Sequence, residues 1–184
     1  MGFHHVALAT RQVDTIHDFY TEAMGFELVK TVVGETPGGG WSRHVFYATP
    51  GGGLMAFWDL HDDTIRTDFP VGMSESVGLP WWVNHLAFEC SMEDLETARK
   101  RWLEWGAEVL EVDHEFCVSI YTLDPDGNTV EWCADRRPFT PEEHTQALAD
   151  LFADAPALIE AKTPAGFFKP DRYNDNARRF PRGG

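Results

Sequence analysis

The sequence predicts an α+β fold in which two tandem βαβββ modules form an open barrel-like sheet around one cavity, followed by a C-terminal helix and an extended tail. Three observations carry this expectation. The order strand, helix, three strands occurs twice, over residues 3–60 and 83–135. Each copy opens with a histidine inside an alternating apolar strand, Phe3-His4-His5-Val6-Ala7-Leu8-Ala9 and Val83-Asn84-His85-Leu86-Ala87-Phe88. Neither copy has enough apolar residues for a comfortable core of its own, so the two are expected to associate.

In the first copy, residues 3–10 alternate as a strand, and Val13–Met24 places Val13, Ile16, Phe19, Tyr20 and Ala23 at helical spacing until Gly25 stops the helix. Strands are expected at Glu27–Val33, Arg43–Thr49 and Leu54–Leu60, separated by the turns Pro37-Gly38-Gly39-Gly40 and Pro50-Gly51-Gly52-Gly53. A linker with Pro70, Gly72, Gly78 and Pro80 spans residues 61–82. The second copy has a strand at Val83–Glu89 and a helix over Met92–Trp105, with Ser91 as N-cap and Gly106 as stop. Its remaining strands are Glu108–Asp113, Cys117–Leu123 and Thr129–Cys133, the last two joined by Asp124-Pro125-Asp126-Gly127-Asn128, which has a proline and a glycine where a tight turn needs them. The expected organisation is therefore one paired-module domain over 1–136 and a separate segment over 137–184.

That last segment begins with Thr140-Pro141-Glu142-Glu143, a capping hydroxyl, a first-turn proline and two acids at the positive end of the helix dipole. The helix should reach about Ala153, with Ala147, Leu148, Leu151 and Phe152 on its apolar side. From Pro164 onward the chain reads as extended, and Phe167, Phe168, Tyr173 and Phe180 require a cover, either the domain itself or a second subunit.

Charge and cysteine content narrow the function classes. A net charge of −15 repels nucleic acid and anionic membranes. The cations Arg172, Arg178, Arg179 and Arg182 near the C-terminus read as a solvated tail. Cys90, Cys117 and Cys133 are an odd number without zinc-type spacing and fit reduced thiols. No apolar run spans a bilayer and the N-terminus enters a strand directly, so a cytoplasmic location is the expectation.

The paired modules, the His-Val-Ala-Leu and His-Leu-Ala-Phe openings, Asp18-Phe19-Tyr20 with Met24-Gly25-Phe26, and the run from Tyr121 through Asp124-Pro125-Asp126-Gly127-Asn128 to Glu131 resemble the vicinal oxygen chelate superfamily over residues 3–135. That superfamily includes glyoxalase I, type I extradiol dioxygenases, fosfomycin-resistance thiol transferases, some epimerases and metal-free drug-binding proteins. The resemblance is specific for fold and does not select a reaction.

Side-chain parity tests a metal site without reference to the family. Alternation groups His5 with Ala7 and His85 with Ala87, opposite the larger Val6, Leu8, Leu86 and Phe88. A lone strand histidine is more often a core residue, but two in register with the carboxylate of Glu131 in a third strand reverse that balance. Two neutral imidazoles and a carboxylate suit a divalent transition metal, iron(II) first, with manganese, zinc, nickel or cobalt able to occupy the same donors.

The resemblance adds further expectations. Glyoxalase I-like members carry a fourth ligand where this chain has Ala56, a loss that leaves room for a bidentate substrate and dioxygen; His61 would replace it only if the strand bent. Tyr121, ten residues before Glu131, stands where extradiol dioxygenases hold a tyrosine against the substrate. Their acid–base histidine has no counterpart in Leu54–Leu60, which leaves His114, the first choice, or His44 or His61. Phe46 and Trp58 are expected to line an aromatic pocket, and Cys117 and Cys133 share the parity of Tyr121 and Glu131. The acidic Glu111, Asp113 and Glu115 oppose a phosphonate substrate, though Arg43 or Arg136 could supply charge. The expected protein is an Fe(II) extradiol-type dioxygenase, with homodimer formation implied by the resemblance, acting on a catechol or another small vicinal-oxygen compound. The alternatives are a glyoxalase-like metal-dependent lyase or isomerase, and a non-catalytic drug-binding protein.

Overall fold

The computed structural model describes residues 3–66, 68, 70–158 and 163–181. The first module consists of β1 (His5–Thr10), α1 (Val13–Asp18, continued by a π-helical turn over Phe19–Ala23), β2 (Glu27–Glu35), β3 (Trp41–Ala48) and β4 (Leu54–His61). The second consists of β5 (His85–Glu89), α2 (Met92–Trp105), β6 (Val109–Asp113), β7 (Cys117–Leu123) and β8 (Thr129–Asp135). A helix α3 (Pro141–Leu151) and a short strand β9 (Gly166–Phe168) follow. Among the described residues, no helix is long and apolar enough to cross a membrane.

Among the described residues, the strands form two mixed sheets in the orders β1-β4-β3-β2 and β5-β8-β7-β6-β9, with no closed barrel. In each module the first and last strands run parallel, His5 opposite Leu54 and His85 opposite Thr129, and the other module pairs are antiparallel. Elements lie where periodicity puts them, with ends displaced by one or two residues. The first helix differs in kind: Met24 N–H donates to Phe19 O at 3.0 Å, closing a wide turn that keeps Phe19, Tyr20 and Ala23 fully buried.

One core serves both sheets. Val45, Tyr47, Met55 and Phe57 of the first sheet and Val118, Ile120, Val130 and Trp132 of the second share a cluster with α1 residues Ile16 and Tyr20 and α2 residues Leu95, Ala98 and Trp102. The helices pack against the core-facing sides of the strands. Tyr20 packs on Phe57 with ring centroids 4.7 Å apart and reaches Asp124 in the second module, while Phe26 packs on Phe88 at 5.1 Å. Gly106, at φ +100°, ends α2 where a Cβ would stand 2.3 Å from the amide nitrogen of Asn174, so glycine meets both a backbone and a space requirement.

The C-terminal segment covers its own second module. β9 adds to β6 with Leu110 opposite Phe167, and Phe168 packs on the core. The buried Glu108 carboxylate accepts the Tyr173 hydroxyl at 2.8 Å and the Phe180 amide at 3.1 Å. Arg182 lies outside the described residues. Helix α3 has the capping box its sequence announces, yet none of its residues is buried, and Leu148 and Leu151 are 62% and 71% exposed. Amphipathicity supplied the apolar face, but among the described residues no element buries it. Edge strand β2 is likewise exposed at all nine positions.

Candidate metal centre

Strand alternation puts the candidate residues on the sheet faces that turn away from the shared core. On the first sheet, Val6, Leu8, Val45 and Phe57 face inward, so His5, Ala7, His44, Phe46, Ala56 and Trp58 share the outer face. His5 lies beside Phe46 and His44, at 5.8 and 6.3 Å between ring centroids, and His44 stacks on Trp58 at 3.8 Å. Burial and the neighbouring His5 lower the His44 pKa. Phe46 and Trp58, expected to line a pocket, share this face, with Trp58 38% exposed. Ala56 lies opposite Ala7 and Phe46, in line with His5, and offers no donor. His61 does not replace it. β4 keeps its register through His61, whose odd parity turns it to the other face, where it binds Asp59 at 2.9 Å and stacks on Trp41.

The second sheet carries the other group. Glu131 stands opposite Tyr121 on β7 and Ala87 on β5, and His85 Nε2 lies 3.2 Å from Glu131 Oε2. Glu131 is 5% exposed, whereas the His85 side chain is 37% exposed. His114 Nε2 is 3.0 Å from the Tyr121 hydroxyl, so the proton carrier favoured on sequence grounds does touch the tyrosine. Burial raises the Tyr121 pKa; a bond with Ser119 opposes that rise and the Glu131 charge adds to it, so the phenol is a neutral hydrogen-bonding group at ordinary pH. Burial, with a bond to Cys133, pushes the Cys117 thiol up to about 12. Ser119 escaped the sequence reading although it shares the parity of Cys117 and Tyr121. Arg43 and Arg136, the cations considered for a phosphonate, are held by Asp59 and Asp113 at 2.6 and 2.8 Å.

The donor chemistry fits a divalent ion. A separation of 3.2 Å between imidazole nitrogen and carboxylate oxygen is close to that of adjacent donors each about 2.0–2.2 Å from one ion, and a cation would compensate the buried carboxylate. The set is incomplete within one chain. Among the described residues, no three of His, Cys, Asp and Glu form a metal-binding group. His5 stands on the first sheet and the His85–Glu131 pair on the second, each on the face opposite its core residues.

A family model described as the Glyoxalase/Bleomycin resistance protein/Dioxygenase superfamily matches residues 2–132. Comparison with curated proteins finds no match. Among solved structures, a glyoxylase/bleomycin resistance protein/dioxygenase domain from Frankia sp. EAN1pec superposes with TM-score 0.55 at 22% identity, covering 74% of this chain and 98% of that one. A variant of the fosfomycin resistance protein FosX from Listeria monocytogenes, complexed with Mn(II) and a dihydroxypropylphosphonic acid, superposes with TM-score 0.52 at 19% identity, covering 78% and 97%. At these identities the likeness is one of fold.

Proposed function

This chain belongs to the Glyoxalase/Bleomycin resistance protein/Dioxygenase superfamily, and on that premise we propose that it is a divalent-metal enzyme, an Fe(II) extradiol-type dioxygenase acting on a catechol or similar vicinal-oxygen compound. The observation that carries the reading is the joined array on the second sheet, where the His85–Glu131 pair lies beside Tyr121 and Tyr121 is bonded to His114. His85 and Glu131 would hold the metal together with His5 from a second copy, the outer face of one copy's first sheet closing on the outer face of the other's second sheet. A homodimer so built has two equivalent sites. Exposed Trp58 and Leu60 on the face to be covered support it.

Iron held there supplies Lewis acidity toward the substrate oxygens and electron density for dioxygen. The Tyr121 hydroxyl orients a substrate oxygen by hydrogen bonding, and His114 accepts or returns the proton at Nε2. Phe46 and Trp58 cover the ring and exclude water. The same His114–Tyr121 pair would serve a metal-dependent lyase or isomerase, which consumes no oxygen. The protein is read as a cytoplasmic enzyme.

Mixing tests the composite site. His5→Ala and Glu131→Gln should each lose bound iron and activity. After dissociation and random reassociation of the two variants, half the dimers are mixed and each has one intact site, so about a quarter of native iron content and activity should return. No recovery despite mixed-dimer formation removes the two-copy site. Recovery of iron without oxygen uptake across a catechol panel removes the dioxygenase and leaves the metal enzyme.

A further inference from the structure

A cavity of about 1020 Å³ lies between the inter-module linker, the end of β7, the β7–β8 turn and the C-terminal segment. Its apolar walls are Leu79, Trp81, Trp82 and Leu123, and Arg178 and Arg179 stand at its edge. Leu123 faces outward in the row Leu123, Thr129, His85, so the cavity sits at the end of the face that bears His85 and Glu131.

The construction is held from several directions. Thr129 Oγ1 donates to Trp81 O at 2.6 Å, tying the linker to β8. Phe180 packs on Trp81 at 4.7 Å between ring centroids, and its amide is anchored on Glu108. Arg178 Nε donates to Pro125 O at 3.1 Å, which orients its guanidinium, and Arg179 lies 4.1 Å over the Tyr173 ring. Arg178 and Arg179 are exposed, as a solvated tail implies, yet each is oriented by a backbone or aromatic contact.

We infer that this cavity is a binding site for a planar aromatic carboxylate. Trp82, 60% exposed, and Trp81 present indole surface on which an aromatic ring would bury apolar area. Guanidinium groups match a carboxylate in shape and charge. Two of them beside a single lining carboxylate, Glu75, give a local positive excess in a chain of net charge −15. A neutral aromatic compound would leave the guanidinium groups unused, and a small inorganic anion would leave the indoles uncovered. The site needs neither a metal nor a second copy.

Calorimetric titration of the metal-free full chain with 2-naphthoate and with the neutral 2-naphthamide tests it. The expected result is one naphthoate per chain, with naphthamide about tenfold weaker. The double variant Arg178→Gln/Arg179→Gln should lose about tenfold for naphthoate and nothing for naphthamide, while Trp82→Ala should weaken both. Absence of naphthoate binding, equal affinity for the two compounds, or unchanged naphthoate affinity in the double arginine variant would overturn the inference. Because metal is absent throughout, each of these outcomes leaves the dioxygenase reading where it stands.

Discussion

The Tyr20 hydroxyl donates to the Asp124 carboxylate at 3.2 Å, tying the helix of the first module to the β7–β8 turn of the second. Asp124 also accepts the Asn128 amide at 2.8 Å and its side-chain NH₂ at 2.9 Å. Burial nevertheless dominates and pushes the carboxyl up to about 7. The unfolded chain has this group near 3.9, so the native state holds the proton more tightly. Its contribution is fully present below about pH 4 and is lost as pH rises through about 7, a change on the order of 4 kcal/mol. Urea unfolding at pH 5 and pH 8 should show the native midpoint falling more than that of Asp124→Asn. Equal slopes for the two proteins would remove Asp124 as the cause.

Tyr121→Phe keeps the ring and removes the hydroxyl bonded to His114. In the proposed enzyme, metal content should stay native while kcat falls about 100-fold, the scale of losing one positioned hydrogen-bond donor. Metal analysis beside steady-state kinetics checks both halves of that expectation.

Glu108→Ala takes away the acceptor of both Tyr173 and Phe180. Two bonds to a buried carboxylate are worth about 3 kcal/mol or more together, so the C-terminal segment should open before the rest unfolds. Limited trypsin digestion should then cut at Arg172, Arg178 or Arg179 at least tenfold faster than in the native chain.

Thr140 caps α3 by accepting the Glu143 amide, and Glu143 returns a bond to the Thr140 amide. Thr140→Ala should lower protection of the α3 amides by about 1 kcal/mol in hydrogen exchange, with no change in the global unfolding midpoint, because α3 buries nothing. Bonds from Arg137 and the Thr140 amide pull the Glu143 pKa down to about 2. The stabilisation is therefore present above the ordinary glutamate range and fades as pH falls toward 2, so α3 protection should persist at pH 4 and decline at pH 2.

Alternation made the membership of each face legible: His5 with Ala56 and Trp58, and Glu131 with Tyr121, follow from period two and from strand pairing. It could not say which way two sheets face one another. That depends on how α1 and α2 pack against each other, a matter of long-range contacts such as Tyr20 with Asp124 and Arg101 with the Met24 carbonyl. The π-helical turn was hidden for a related reason, since Phe19, Tyr20 and Ala23 satisfy an ordinary helical spacing equally well. Charge counting read the arginines as solvated, and Arg172, Arg178 and Arg179 are exposed; what it could not show is the anchors, Glu108 and the Pro125 carbonyl, that fold the segment back.

Strand β2 ends its sheet, and among the described residues no other strand pairs with its outer edge. A chain with such an edge has two ways to meet its own kind. Addition of β2 to the β1 edge of another copy can continue without limit, whereas in the proposed dimer contact between the histidine-bearing faces closes on itself after two copies. If the closed form is slow to assemble, concentrated protein will be drawn into the open-ended one, so dilution during refolding should decide how much reaches the finite assembly.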